Sequence, residues 1–190
     1  MPVEMEAKLK VDSLAPTRQR LQQLGAARIG NHLETNALYD DPDSTLEQSD
    51  KGLRIRTRRD LDNASEDAIL TYKGPGQPGA FKNRQEIETH IADGKAMAAL
   101  LNALGYHQSL SFQKKRESWQ LDGCHVELDE VPHLGCFVEI EGDSESSILE
   151  LQQKLGLAEL QTIKTSYIGL LLKWLNERSR GERTIVFPEP

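Results

Sequence analysis

The sequence contains no apolar run approaching the roughly 20 residues that a helix needs to cross a bilayer, so it offers no helical membrane span. Its first residues, MPVEMEAKLK, lack the apolar centre of a secretory leader, and a cytoplasmic protein is expected. Cysteine is almost absent. Cys124 and Cys136 stand alone, and His125 and His133 flank them at spacings unlike those of a zinc site. Two buried free thiols are therefore expected rather than a disulfide. A basic surplus is also missing: 23 Lys and Arg stand against 30 Asp and Glu, a net charge of −7, which argues against a general nucleic-acid binder. No GxxxxGK[ST] loop occurs, which excludes a P-loop protein. There is no low-complexity run, internal linker or repeat, so the 190 residues are expected to form one soluble domain.

What the chain does have is alternation of charged and apolar residues. In an extended strand, side chains at i and i+2 share a face. Residues 3–11, VEMEAKLKV, put Glu4, Glu6, Lys8 and Lys10 on one face and Val3, Met5, Ala7, Leu9 and Val11 on the other. Residues 53–59 align Arg54, Arg56 and Arg58; residues 68–74 align Thr71 with Lys73 before the turn-rich GPGQPG. Residues 84–91 align Arg84, Glu86, Glu88 and His90. Residues 111–121 align Phe112, Lys114 and Arg116; residues 124–131 align His125, Glu127 and Asp129. CFVEIEG follows a turn and aligns Glu139 with Glu141, and a weaker strand lies near Thr35 to Asp40. About eight strands result.

Four segments have helical signals: 13–24, 93–104, 144–155 and 166–177. Asp12 or Ser13, Asp93 and Ser144 are their caps, Pro16 suits a first turn, and Gly25, Gly105 and Gly156 suit their ends. Residues 1–178 are expected to form the domain, and 179–190 a polar tail in which Ile185, Val186 and Phe187 are apolar enough to dock back. Leu170, Leu171 and Trp174 are expected to cover the sheet, while an apolar patch at Trp174 leaves a homodimer open.

Alternating strands usually turn the apolar face inward and the charged face to water. Here that arrangement exposes several rows of like charge. The inverse arrangement is an α+β fold: an eight-stranded antiparallel closed β-barrel, or tunnel, with a charged interior and amphipathic helices covering its apolar outer surface. The aligned acids and bases are nearly balanced, as a self-compensating interior requires. The carboxylates of Glu4 with Glu6, and of Glu139 with Glu141, lie two residues apart on one face and suit Mg²⁺ or Mn²⁺. Pairing of the same glutamates with arginines is the other reading. Arg54, Arg56, Lys73, Lys114 and Arg116 match phosphate oxygens. Encircling bases with acid-bound metal would hold a triphosphate.

The ordered set Glu4-Met5-Glu6-Ala7-Lys8 (ExExK), LYDDPD, LRIR, TYKGP, RQEIE, KKR, VELDEVPHLGCFVEIEG and KTSYIGLL resembles the CYTH family, the triphosphate tunnel metalloenzymes, over residues 2–175. The resemblance implies Mg²⁺ or Mn²⁺ dependence and cleavage within a triphosphate such as ATP or tripolyphosphate, with no membrane and no nucleic acid as partner. It assigns Glu4, Glu6, Glu139 and Glu141 as metal ligands, with Asp129 and Glu127 beside them. It assigns Lys8, Arg54, Arg56, Lys73, Arg84, Lys114 and Arg116 to the phosphates, and Glu86 and Glu88 to orienting those bases or holding a second metal. Lys8 is also the candidate for activating a water nucleophile, and Arg58 is placed at the tunnel mouth. The chain is most similar in pattern to the class IV, CyaB-like adenylyl cyclase branch. A triphosphatase acting on inorganic, nucleoside or thiamine triphosphate is the alternative, and a non-catalytic polyphosphate or nucleotide binder the third reading.

Overall fold

The computed structural model describes residues 5–77, 83–177 and 183–188. In chain order the elements are β1 (Met5–Val11), α1 (Ala15–Gln23), β2 (Ala27–Asp40), α2 (Thr45–Gln48), β3 (Gly52–Asp60), β4 (Glu66–Gln77), β5 (Asn83–Ile91), α3 (Gly94–Ala103), β6 (His107–Leu121), β7 (Cys124–Val131), β8 (Gly135–Gly142), α4 (Glu145–Leu155), α5 (Tyr167–Glu177) and β9 (Thr184–Ile185). The first eight strands form one curled antiparallel sheet, ordered β1-β8-β7-β6-β2-β3-β4-β5, and β9 adds to β6 in parallel. This is the expected eight-stranded α+β architecture. Among the described residues β1 and β5 are its edges, with no ladder between them.

Register decides which side chains meet. Glu6 lies opposite Glu141 and Lys8 opposite Glu139. Glu139 is in turn opposite Glu127, and Asp129 is opposite Arg116. Glu34 faces both Arg58 and Lys114, and Lys73 faces Glu86. Because directly paired residues of an antiparallel ladder share a face, these charges form one continuous lining on the concave side.

The opposite, convex side is apolar. Ala7, Leu9, Val126, Leu128, Val138 and Ile140 are buried there beneath Leu21 of α1 and Ile148, Leu151 and Leu155 of α4. Full burial of each such large aliphatic side chain contributes roughly 1.5–3 kcal/mol. Ser144 caps α4 by accepting the Ser147 N–H at 3.1 Å, and Gly156 ends it at φ 73°. Gly142 lets the helix approach β8: a Cβ there would stand 2.8 Å from Ser147 Oγ and 3.0 Å from Cys124 Sγ. A second convex cluster joins Leu101 of α3 to Ile55 and Tyr39. Asp93 caps α3 through the N–H groups of Lys95 and Ala96.

The most apolar helix, α5, departs from the expected outer position. Tyr167, Leu171 and Leu175 pack against Leu110, Phe112, Val131 and Phe137. Phe112 and Phe137 share faces with Lys114 and Glu139, so α5 sits on the concave side and plugs one end of it. Ile185 of β9 is buried in the same cluster. Both cysteines are free, with Cys124 buried and Cys136 half-buried. No helix among the described residues is long and apolar enough to cross a membrane.

Candidate active site

The curl of the sheet encloses a cavity of about 270 Å³ on its concave side. From the edge strand β1 come Glu6 and Lys8; from β3, Arg54 and Arg56; from β4 and β5, Lys73, Arg84, Glu86 and Glu88. From β6 come Lys114 and Arg116, from β7 Glu127, and from β8 Glu139 and Glu141. Edges that are far apart along the sheet thus face one space. Arg58 is on the same face of the sheet but does not line this cavity; it is bound to Asp67. Glu4 lies outside the described residues.

The lining is organised around buried carboxylates. Asp129 is fully buried and receives Arg116 through two guanidinium nitrogens, Lys114 at 3.3 Å and the Tyr167 hydroxyl at 2.8 Å. With its oxygens so engaged, Asp129 lies behind the residues that line the cavity and pairs with Arg116 and Lys114. Arg116 also binds Glu139 and stands 3.7 Å from Glu127. Glu127 accepts the Ser118 hydroxyl at 2.6 Å.

Glu34, 2% exposed, lies 3.5 Å from Lys114 and 3.6 Å from Arg56. Burial pushes its pKa up, but Lys114, Arg56, Arg116 and Arg54 together outweigh burial and hold the carboxyl well below its usual range. Nothing in the pattern of residues marks it, because its i±2 neighbours, His32 and Asn36, complete no row of charge.

Lys8, 2% exposed, donates to the Thr165 carbonyl at 3.1 Å and lies 3.4 Å from Glu139, 3.7 Å from Glu6 and 4.4 Å above the Tyr167 ring. The Tyr167 ring also faces the Lys114 ammonium at 5.2 Å. Burial, reinforced by Asp129 and Glu139, raises the Tyr167 pKa well above its ordinary value, so its hydroxyl stays a donor. Tyr167 lies within the KTSYIGLL stretch, but helical periodicity alone does not place it under two lysines.

The cations are less well matched. Burial, and then repulsion from Arg56, lowers the Arg54 pKa to about 10 despite Glu34, Glu86 and Glu88. The Nε groups of Arg54 and Arg84 are buried and find no acceptor among the described residues. Lys73 pairs with Glu86, and Glu88 takes Thr71 at 2.7 Å and Arg54 at 3.4 Å. Two guanidinium Nε donors beside a third arginine thus lack acceptors among the described residues.

For a hard divalent cation the donors are of the right kind. Glu6 and Glu141 lie directly opposite each other, one ladder step from Glu139, and all three reach the cavity as carboxylates. No three acidic, histidine or cysteine groups among the described residues already form a cage.

The fold is thus a curled antiparallel sheet whose concave face interleaves acids and bases. The CYTH domain matches residues 2–167, and the chain belongs to that family. It is 27% identical over 177 residues to MJ0240 of Methanocaldococcus jannaschii, named as a candidate adenylate cyclase, covering 88% of this chain and 98% of that one. It is 28% identical over 148 residues to adenylate cyclase CyaB of Aeromonas hydrophila, covering 73% and 72%. Among solved structures, protein PH1819 of Pyrococcus horikoshii superposes with a TM-score of 0.77 at 28% identity, covering 90% and 99%.

Proposed function

We propose that this protein is a divalent-metal-dependent enzyme acting on triphosphates, and within that class a CyaB-like adenylyl cyclase that converts ATP to cyclic AMP and pyrophosphate. The observation that carries the triphosphate reading is the pair of buried, acceptor-less guanidinium N–H groups of Arg54 and Arg84 in a cavity also lined by Arg56, Lys73, Lys114 and Arg116. A chain of phosphate oxygens would supply the missing acceptors and offset the repulsion that lowers the Arg54 pKa. The name of the Aeromonas relative favours the cyclase.

Lys8 and Arg116, held by Glu139, would meet phosphate at the β1–β8 wall. Arg54, Lys73 and Arg84 would meet it at the other wall, with Glu86 and Glu88 fixing Lys73 and Arg54. Glu6, Glu139 and Glu141, joined by Glu4, would hold Mg²⁺ or Mn²⁺. When bound, such an ion neutralises phosphate oxygens and the charge of the departing pyrophosphate. Lys8 is surrounded by a carbonyl, two carboxylates and an aromatic face, all partners suited to an ammonium ion. Its role is to bind and orient phosphate.

In a cyclase the ribose 3′-oxygen attacks the α-phosphorus; in a triphosphatase water attacks the terminal one. Incubation of the protein with ATP, and separately with tripolyphosphate, in Mg²⁺ or Mn²⁺, followed by chromatography, separates the two. Cyclic AMP with pyrophosphate is the expected product. Orthophosphate from either substrate, without cyclic AMP, would replace the cyclase by a triphosphatase, and inertness toward both would sink the enzyme reading.

A further inference from the structure

The three arginines that alternate along β3 each meet a different partner on β4. Arg58 faces Asp67, Arg56 faces Ile69 and Arg54 faces Thr71. Asp67 accepts Arg58 through both carboxylate oxygens, and Arg58 does not line the charged cavity. Arg54 and Arg56, opposite neutral side chains, do line it. The row on β4 thus sorts the arginines. An opposing carboxylate takes up a guanidinium, and a neutral side chain leaves it available.

Ile69 is only a spacer, but Thr71 carries a hydroxyl. Thr71 is 0% exposed and does not itself line the cavity. It stands between Arg54 on β3 and Glu88 on β5, directly opposite both. Its hydroxyl donates to Glu88 Oε1 at 2.7 Å and accepts Arg54 Nη2 at 3.3 Å. Burial raises the Glu88 pKa, but the Thr71 hydrogen bond, with Arg56, Arg54 and Lys73, outweighs it and keeps the carboxyl ionised. The direction of the chain is then fixed, since a guanidinium offers no acceptor and a carboxylate no proton. Arg54 reaches Glu88 itself at 3.4 Å, again through Nη2, while its Nε finds no acceptor among the described residues. Two residues along the same ladder, Lys73 and Glu86 pair directly.

We infer that Thr71 is a positioning residue for phosphate binding: its hydroxyl stands between Arg54 and Glu88, engages one end of the guanidinium and keeps the rest from closing onto the carboxylate. The inference rests on the triphosphate reading above and deepens it. A carboxylate in full contact with Arg54 would grip it bidentately, as Asp67 grips Arg58, and phosphate would have to displace that grip. A hydroxyl is a single neutral acceptor. It orients Arg54 without occupying the donors that phosphate oxygens need.

Calorimetric titration with inorganic tripolyphosphate in calcium, a hard oxygen-seeking cation, measures the affinity of wild type, Thr71→Val and Thr71→Ser. Valine keeps the branched shape and loses the hydroxyl; serine keeps the hydroxyl and loses the methyl group. Loss of a hydrogen bond to charged groups is expected to weaken binding about tenfold in Thr71→Val. Thr71→Ser is expected to stay within about twofold of wild type. A residue that only fills space would give the reverse order, because serine leaves a void. With Arg54→Met already in place, Thr71→Val is expected to change affinity less than about twofold, since the hydroxyl acts through Arg54. Thr71→Ala, which also lacks the hydroxyl, gives the same reading if the valine variant does not melt cooperatively. Valine equal to wild type, serine as weak as valine, or losses that add in the double variant would overturn the assignment and leave the triphosphate reading standing. Wild-type protein that does not bind tripolyphosphate overturns both.

Discussion

At the scale of single residues the concave lining keeps cations close together at a cost in stability. Arg54 is the clearest case. Its guanidinium is buried beside Arg56, its Nε has no acceptor among the described residues, and its pKa falls to about 10. A base whose folded pKa lies below its unfolded value costs stability at every pH below the folded pKa. Replacing such a charge by an apolar chain of similar length is often stabilising. Arg54→Met is therefore expected to raise the melting temperature while weakening triphosphate binding. A gain of about 1 kcal/mol corresponds to roughly 2–4 °C in a chain of this size. Thermal melts with and without tripolyphosphate check both halves, and a variant that melts lower without ligand would show that Arg54 earns its place through Thr71 and Glu88 instead. Asp129 and Glu34 show the limit of reading residues from sequence. Asp129 is legible as one more inward acid, but its burial beneath Arg116, Lys114 and Tyr167 follows from contacts between elements far apart in the chain.

At the scale of elements, alternation revealed most of the strands because each carries charge on one face and aliphatic groups on the other. The strand β2 was legible only at its end, near Thr35 to Asp40, since its first half lacks that contrast; it runs from Ala27. The short α2 is not legible, as four residues carry no periodicity; Asp40, five residues before its start, anchors it by accepting the Leu46 and Glu47 N–H groups at 3.0 and 2.9 Å. Helical periodicity gives α5 an apolar face but not the side of the sheet that receives it. That side becomes apparent only when Leu110, Phe112, Val131 and Phe137 are seen to form one apolar end of the concave surface. The strand β9 completes that cluster: Ile185 is 3% exposed and the Arg183 carbonyl accepts the Ser111 N–H at 2.7 Å. Ile185→Ala is expected to cost about 2–4 kcal/mol, read as a lower midpoint in urea at unchanged slope. A loss below about 0.5 kcal/mol, the usual range for a surface site, would show that the segment contributes no packing.

At the scale of the molecule, a net charge of −7 coexists with a concave face on which acids and bases interleave, so the response to pH is set by the lining rather than by the total. Glu34 dominates the acid side. Its carboxyl, despite burial, is held well below the ordinary 4.5 by Lys114, Arg56, Arg116 and Arg54. A carboxylate with a depressed folded pKa contributes stability that is fully present above the unfolded pKa and is lost as pH falls through the folded one. Removing its charge takes the neighbouring carboxylate from Arg56 and leaves Lys114 with Asp129 alone, a loss on the order of 3 kcal/mol. Glu34→Gln should accordingly melt lower than wild type near neutral pH. Below about pH 4.5 the wild type alone should lose stability at this position, because glutamine has no proton to take up. The two melting curves plotted against pH should then converge as acid is added. Tyr167 governs the opposite end: its raised pKa means that stability contributed by its hydroxyl is lost as pH rises beyond 10.0. Curves for wild type and Glu34→Gln that stay parallel from neutral pH down to about pH 3 would assign the acid limb to other carboxylates and remove Glu34 as the centre of the lining's electrostatics.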